Sequence, residues 1–395
     1  MAPQLLEQAG LAGVSASQLL VPVLLAHLAW WKLAPHAQPL GPPVRAALLV
    51  MRLTLTVLLL EALICAMVLP SLYLVKNNLS MERRWDPLDV PVTAQQQLPQ
   101  QHHQHLWLSA GVFTPPGSTQ GPTILFIAPN GAGFEQMTQY LSSYAEDLGA
   151  QRIVAFNYRG VGKSTGFPRR WEDLVDDADA VLNHVMAAYG VRVGDVIAHG
   201  WSLGGGVAMS LRARHPGLVV VNDRSFSSLS SAASGMLGDP VGLGALGLLG
   251  GFLLAFVSSE QLVTMADRSK WLCAVLAAVS AAGGLHLLLP SLLDAFCWQV
   301  DFVSPPAAAA LYSAPTCVIY HRGDPVVVYE ASLHRALEPG QTALFELELK
   351  ADFSGRNEMM HHMYPITNVA EEWRRLLSDC VRPAWESRAL FERRG

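Results

Sequence analysis

Ser202 lies in the run Asp195-Val-Ile-Ala-His-Gly-Trp-Ser-Leu-Gly-Gly-Gly-Val-Ala-Met-Ser210, with one glycine two residues before it and another two residues after it. A serine hydroxyl is a weak nucleophile at neutral pH. It needs a histidine to take its proton, and that histidine needs a carboxylate to fix its tautomer and stabilise the imidazolium. Both partners are available downstream. Asp324 sits in the segment Arg322-Gly-Asp-Pro-Val-Val327, Asp223 offers a second carboxylate, and the stretch 351–363 holds the adjacent pair His361 and His362. The chemistry such a set would perform is acyl transfer through the serine oxygen. The oxyanion formed on attack needs preorganised donors. The amide of Leu203 and an amide within Pro129-Asn-Gly-Ala-Gly133 could supply them.

A reactive serine must be aimed by rigid elements. Residues 195–198 read as a short apolar strand and 203–215 as a small-residue helix, so the glycines relieve the crowding of a sharp strand-to-helix turn. Strand patterns at 106–114, 123–128, 152–158, 218–222, 316–320 and 343–350 alternate with helical periods at 134–148, 171–189, 329–337 and 369–380. This alternation predicts an α/β architecture, a mostly parallel central sheet flanked by helices, with active groups on loops at the strands' carboxyl ends.

On the elbow around Ser202, the Arg-Gly-Asp loop, the paired histidines and the order serine, acid, histidine, the sequence resembles the α/β-hydrolase superfamily over roughly residues 106–380. The resemblance implies the α/β-hydrolase fold, with Ser202 as nucleophile, Asp324 as acid and His362 as base. Asp223 is the alternative acid, at a position some lipases of the superfamily use, and His361 is the alternative base. The distance from His362 to the closing helix is the more family-like, although the glycine usual before the histidine is missing. The oxyanion donors carried over are the Leu203 and Ala132 amides, with Asn130 standing where the family has a histidine. The loop Asn157-Tyr-Arg-Gly-Val-Gly-Lys-Ser164 resembles the family's loop after the fourth strand and is expected to be scaffold around the pocket. Its Gly-Lys-Ser lacks the spacing and following helix of a phosphate-binding loop.

The rest of the chain bounds the substrate. Of 395 residues, 51% are hydrophobic and 15% charged, a balance more apolar than in ordinary soluble domains. Mean hydropathy is +0.27. The net charge of -5, without a basic run, excludes nucleic acid as a partner class. The leader lacks a basic start and carries Glu7, so no signal peptide is expected. Residues 1–80 read as a hydrophobic helical N-terminal region, with apolar runs at 19–31 and 46–75. Arg52 and Glu61 fall on opposite faces of any helix there. A membrane helix or hairpin is expected, with a buried helical extension as the alternative.

Residues 81–395 would form the hydrolase domain. Pro87, Pro91 and the polar 95–105 stretch read as linker and turn. A helical hydrophobic insert at about 235–300 carries apolar stretches at 241–257 and 271–293; it is expected to be a lipid-contacting cap, with a buried helix pair as the alternative.

Five cysteines (Cys65, Cys273, Cys297, Cys317, Cys380) without paired spacing fit buried thiols in a reducing compartment better than a disulfide framework or zinc site. His102, His103 and His105 sit on a Gln-rich turn with no carboxylate or cysteine near them in sequence, so no metal is expected, and no cofactor motif is present. The expected activity is hydrolysis of carboxylic esters or thioesters of lipophilic acyl substrates at a membrane, with the catalytic domain on the cytoplasmic side. The alternatives are a catalytically inactive, membrane-anchored interaction or scaffold protein, or a serine peptidase. Protein partners are not legible.

Overall fold

Residues 123–127, Thr-Ile-Leu-Phe-Ile, are apolar at every position but the first, the pattern of a strand covered on both faces. The computed structural model places them at the centre of a sheet and describes residues 81–92, 106–130, 132–166, 168, 170–232, 300–302, 314–337, 343–348, 362, 366 and 370–388. The strands are β1 (Asp86–Val92), β2 (Leu106–Phe113), β3 (Thr123–Ile127), β4 (Arg152–Phe156), β5 (Val196–Trp201), β6 (Val219–Asp223), β7 (Thr316–Tyr320) and β8 (Ala343–Glu346). Their order is β1-β2-β4-β3-β5-β6-β7-β8. Only the β1–β2 and β2–β4 pairings are antiparallel; β3, β4, β5, β6, β7 and β8 run parallel.

Side chains alternate along each strand, so the sheet divides the apolar residues into two cores. Leu125 and Ile127 of β3 enter one with Val154, Phe156, Val196 and Ala198, while Ile124 and Phe126 enter the other with Ile153, Ala155 and Ile197. Helices α2 (Trp171–Tyr189) and α3 (Leu203–Arg214) cover the first core. In α2, Leu174, Ala178, Val181, Leu182 and Val185 recur at three- and four-residue spacing and are fully buried. Each such Leu or Val side chain contributes about 1.5–3 kcal/mol relative to exposure.

Helix α1 (Thr138–Leu148) covers the second core with the closing helix. The closing helix runs through α4 (Ala370–Leu376), one wide π turn (Leu377–Val381) and α5 (Arg382–Glu386). Pro383 has no N–H to donate to Asp379, and its ring would crowd that carbonyl; the widened turn accommodates both.

Three expectations are corrected. The Pro87 and Pro91 segment is the strand β1, not linker. It lies at the sheet edge, where a missing N–H costs little, and buries Val90 against the first core. Residues 329–337 form two 3₁₀ turns (Tyr329–Ala331 and Leu333–Ala336) instead of a helix. There the main chain is claimed by the segment after β6: Leu333 N–H donates to Ser225 O (2.9 Å), and Ser227 N–H to Ala331 O (2.8 Å).

The third correction concerns Cys317 and Cys380, which form a disulfide between β7 and the closing helix with Cα atoms 5.3 Å apart. Both are buried, and their separation of 63 positions hid the pairing. The cysteines therefore no longer argue for a reducing compartment.

Residues 1–80, the polar 95–105 stretch with His102, His103 and His105, and nearly all of the 235–300 insert lie outside the described residues. Among the described residues no helix is long and apolar enough to cross a membrane.

Candidate active site

Strand β5 ends at Trp201 and α3 starts at Leu203, leaving one residue, Ser202, to make the turn. Its φ of 53° and ψ of -117° lie in territory that side-chain-bearing residues rarely enter. Two glycines make the turn possible. A Cβ on Gly200 would fall 2.0 Å from Gly204 O, and one on Gly204 would fall 2.0 Å from Ile127 O. Helix α3 therefore starts in contact with the end of β3, where the loop carrying Ala132 departs.

The turn places the Ser202 hydroxyl 2.9 Å from His362 Nε2, to which it donates. His362 Nδ1–H in turn donates to Asp324 Oδ2 at 2.7 Å; this tautomer follows from the hydrogen-bond partners. The other carboxylate oxygen, Asp324 Oδ1, accepts the amides of Val326 (2.8 Å) and Val327 (2.9 Å), which leaves Oδ2 aimed at the imidazole. Ser202, Asp324 and His362 are buried to 7%, 5% and 3% residual exposure, so their mutual bonds face little competition from water. His361 lies outside the described residues.

Asp223 has a different role from the one considered for it. Its carboxylate receives Arg224 Nε at Oδ1 (2.7 Å) and Arg224 Nη2 at Oδ2 (3.0 Å), and its main-chain carbonyl accepts the Ser202 N–H at 2.8 Å. Burial alone would raise the Asp223 carboxyl. The Arg224 charge and hydrogen bonds, with His199 nearby, outweigh it and hold the group well below the usual carboxylate range. Asp223 thus supports the elbow from below, and Asp324 is the carboxylate on the histidine.

The Leu203 amide opens α3, where the first N–H groups have no intrahelical acceptor. On the facing loop, Phe134 N–H donates to Asn157 Oδ1 (3.0 Å), and Asn157 Nδ2 donates to both oxygens of buried Glu135 (2.9 and 3.0 Å). The segment after Ala132 is thereby tied to the end of β4. The loop 158–164 is held in turn by Arg159, whose N–H and Nε both donate to Asp177 at 2.8 Å. Sequence reading had assigned these residues to scaffold without showing which atoms they brace.

It missed Trp201 and Arg224 altogether. Trp201 Nε1–H donates to the His362 main-chain carbonyl at 3.1 Å. Nothing in the order of residues marks a partner 161 positions away. Among the described residues no group of three or more His, Cys, Asp or Glu side chains could hold a metal ion.

Ser202, His362 and Asp324 thus stand in one hydrogen-bonded series. The sequence profile of the alpha/beta hydrolase family matches residues 124–384. The chain is 28% identical over 120 residues to the alpha/beta hydrolase domain-containing protein WAV2 of Arabidopsis thaliana, covering 30% of this chain and 38% of that protein. It is 32% identical over 114 residues to an uncharacterized protein of Caenorhabditis elegans, covering 29% and 23%. The matched stretches span well under two thirds of either relative.

Among solved structures it is similar to an esterase of Pyrococcus furiosus at 14% identity and TM-score 0.45, over 76% of this chain and 95% of that one. A proline iminopeptidase of Mycobacterium smegmatis is similar at 16% identity and TM-score 0.44, over 74% and 97%.

Proposed function

Because the chain belongs to the α/β hydrolase family, we propose that it is a serine hydrolase that cleaves carboxylic ester or thioester bonds of lipophilic acyl substrates. The observation that carries the reading is the unbroken hydrogen-bond series Ser202, His362, Asp324 at 2.9 and 2.7 Å.

In this mechanism His362 Nε2 takes the Ser202 proton as Oγ attacks the acyl carbonyl, and Asp324 steadies the imidazolium. The carbonyl oxygen, now negative, accepts hydrogen bonds from the Leu203 and Ala132 amides, each donor of this kind being worth about 10²–10³ in rate. Collapse expels the alcohol or thiol, which leaves with the proton from His362, and Ser202 keeps the acyl group. His362 then deprotonates a water, whose attack on the acyl carbon releases the acid and restores the hydroxyl.

The lipophilic substrate class and action at a membrane rest on the apolar sequence at 19–31, 46–75, 241–257 and 271–293.

An active-site-directed fluorophosphonate tests the proposal. Wild type should form a covalent adduct and Ser202→Ala should not. Folded wild type that stays unlabelled would leave the scaffold reading in its place. Ser202-dependent cleavage of peptides, with long-chain acyl esters inert, would replace the ester reading with a peptidase.

A further inference from the structure

Among the described residues two non-glycine positions have positive φ, Ser202 at 53° and Arg224 at 46°. They follow neighbouring parallel strands, β5 and β6, and are joined through the hydrogen bond from Ser202 N–H to the carbonyl of Asp223, the residue before Arg224. The strain at Ser202 has its explanation in the elbow. Backbone held in a sparsely populated region persists only where the surroundings over-determine it, so Arg224 also calls for a use.

Its side chain shows one. Arg224 is fully buried and grips both oxygens of Asp223. Its main-chain N–H donates to Ile319 O at 2.8 Å on β7, the strand that leads to Asp324. The guanidinium carbon sits 4.7 Å from the centroid of the Trp201 ring, and a desolvated cation over an indole face is held strongly. The indole N–H of Trp201 then donates to the His362 main-chain carbonyl. A buried ion pair is not needed for stability, since well-packed apolar residues serve as well or better. What this pair supplies is geometry: it fixes a ring that holds the main chain of the base.

We infer that Arg224 and Trp201 are positioning residues, through which the Asp223–Arg224 pair bears on the Trp201 face and the Trp201 indole N–H holds His362 within reach of both Ser202 and Asp324. This rests on the reading of Ser202 as nucleophile and His362 as base.

The test uses Trp201→Phe in the full-length chain, which keeps a ring for Arg224 and removes the N–H. Fluorophosphonate labelling separates rate from amplitude. A fold defect lowers the fraction labelled, whereas misplacement of the base lowers the rate constant at full amplitude. Loss of one hydrogen bond to the base, with the resulting drift, predicts a labelling rate constant and an ester kcat each reduced about tenfold, with KM unchanged. Full amplitude at the wild-type rate constant would overturn the inference while leaving the nucleophile reading intact, and so would reduced amplitude at the wild-type rate constant. Should Trp201→Phe not fold, Arg224→Lys carries the test, because it keeps the charge but not the two-point grip on Asp223. A severalfold slower rate constant at full amplitude supports the inference, and a wild-type rate constant overturns it. Wild type that does not label at Ser202 would instead remove the underlying reading, and the inference with it.

Discussion

Ser202 and His362 are held in place by opposite means. The serine is fixed by main chain close to it in sequence: the end of β5, the start of α3, and glycines at 200 and 204 that let backbone meet backbone. Two longer contacts complete it, the Asp223 carbonyl and the approach of Gly204 to the Ile127 carbonyl. The histidine is held by side chains that come from afar, Asp324 at 38 positions and Trp201 at 161, and it meets Ser202 across 160. The difference teaches where each half is fragile. The Ser202 side has no room for a Cβ at Gly200 or Gly204, and the His362 side depends on polar groups that must stay in the right charge state and orientation.

The largest effect should come from the acid. Asp324→Asn presents an amide where the imidazole N–H needs an acceptor, and the wrong tautomer should lower kcat for ester hydrolysis by about 10³–10⁴ with the fold intact by circular dichroism. A loss under tenfold would mean that Asp324 does not govern the base. In the nucleophile half, Gly204→Ala drives a methyl against the Ile127 carbonyl. Overpacking of this severity should cost about 3 kcal/mol, read as a fall in melting temperature on the order of 10 °C. An unchanged melting temperature would show that the α3–β3 contact is looser than its geometry.

How much of this was open to sequence reading follows the same divide. The elbow was legible because its requirements are local: a strand, a glycine-flanked serine and a helix occupy consecutive positions. The sheet was legible because β3, β5 and β6 are short apolar runs between helical periods, and Asp324 and His362 could be proposed from their place after β7 and β8. What failed was decided by partners distant in sequence. Proline at 87 and 91 signals a break only until β2 makes it an edge strand, and 329–337 has helical spacing until the segment after β6 captures its main chain. The Cys317–Cys380 disulfide joins two elements that no spacing relates. Arg224 and Trp201 carry ordinary residue types, and only folding brings the guanidinium over the indole.

The smallest expected effect concerns the support of the acid half. His334 stacks on Tyr320, the last residue of β7, at 3.9 Å between ring centroids. Burial, with Arg335 adding to it, pulls its pKa down to about 4. A histidine depressed in the folded state binds fewer protons folded than unfolded, so its contribution to stability is complete above about pH 6.5, its unfolded value, and is lost as pH falls toward 4. Acidification from pH 7 to 4 should therefore lower the melting temperature of wild type by a few °C more than that of His334→Phe, about what a single titrating group supplies. Equal losses would remove His334 from the acid half's pH response. The main-chain contacts around Ser202 carry no titrating group, and Gly204→Ala should lower the melting temperature by the same amount at both pH values.

The most direct test of whether the two halves act as one machine is a double-mutant cycle on ester hydrolysis with Ser202→Ala, His362→Ala and the pair together. Groups that act in series are strongly non-additive. A Ser202–His362–Asp324 triad predicts that the double variant keeps the same residual rate as Ser202→Ala alone, whereas a further loss equal to that of His362→Ala by itself would contradict it.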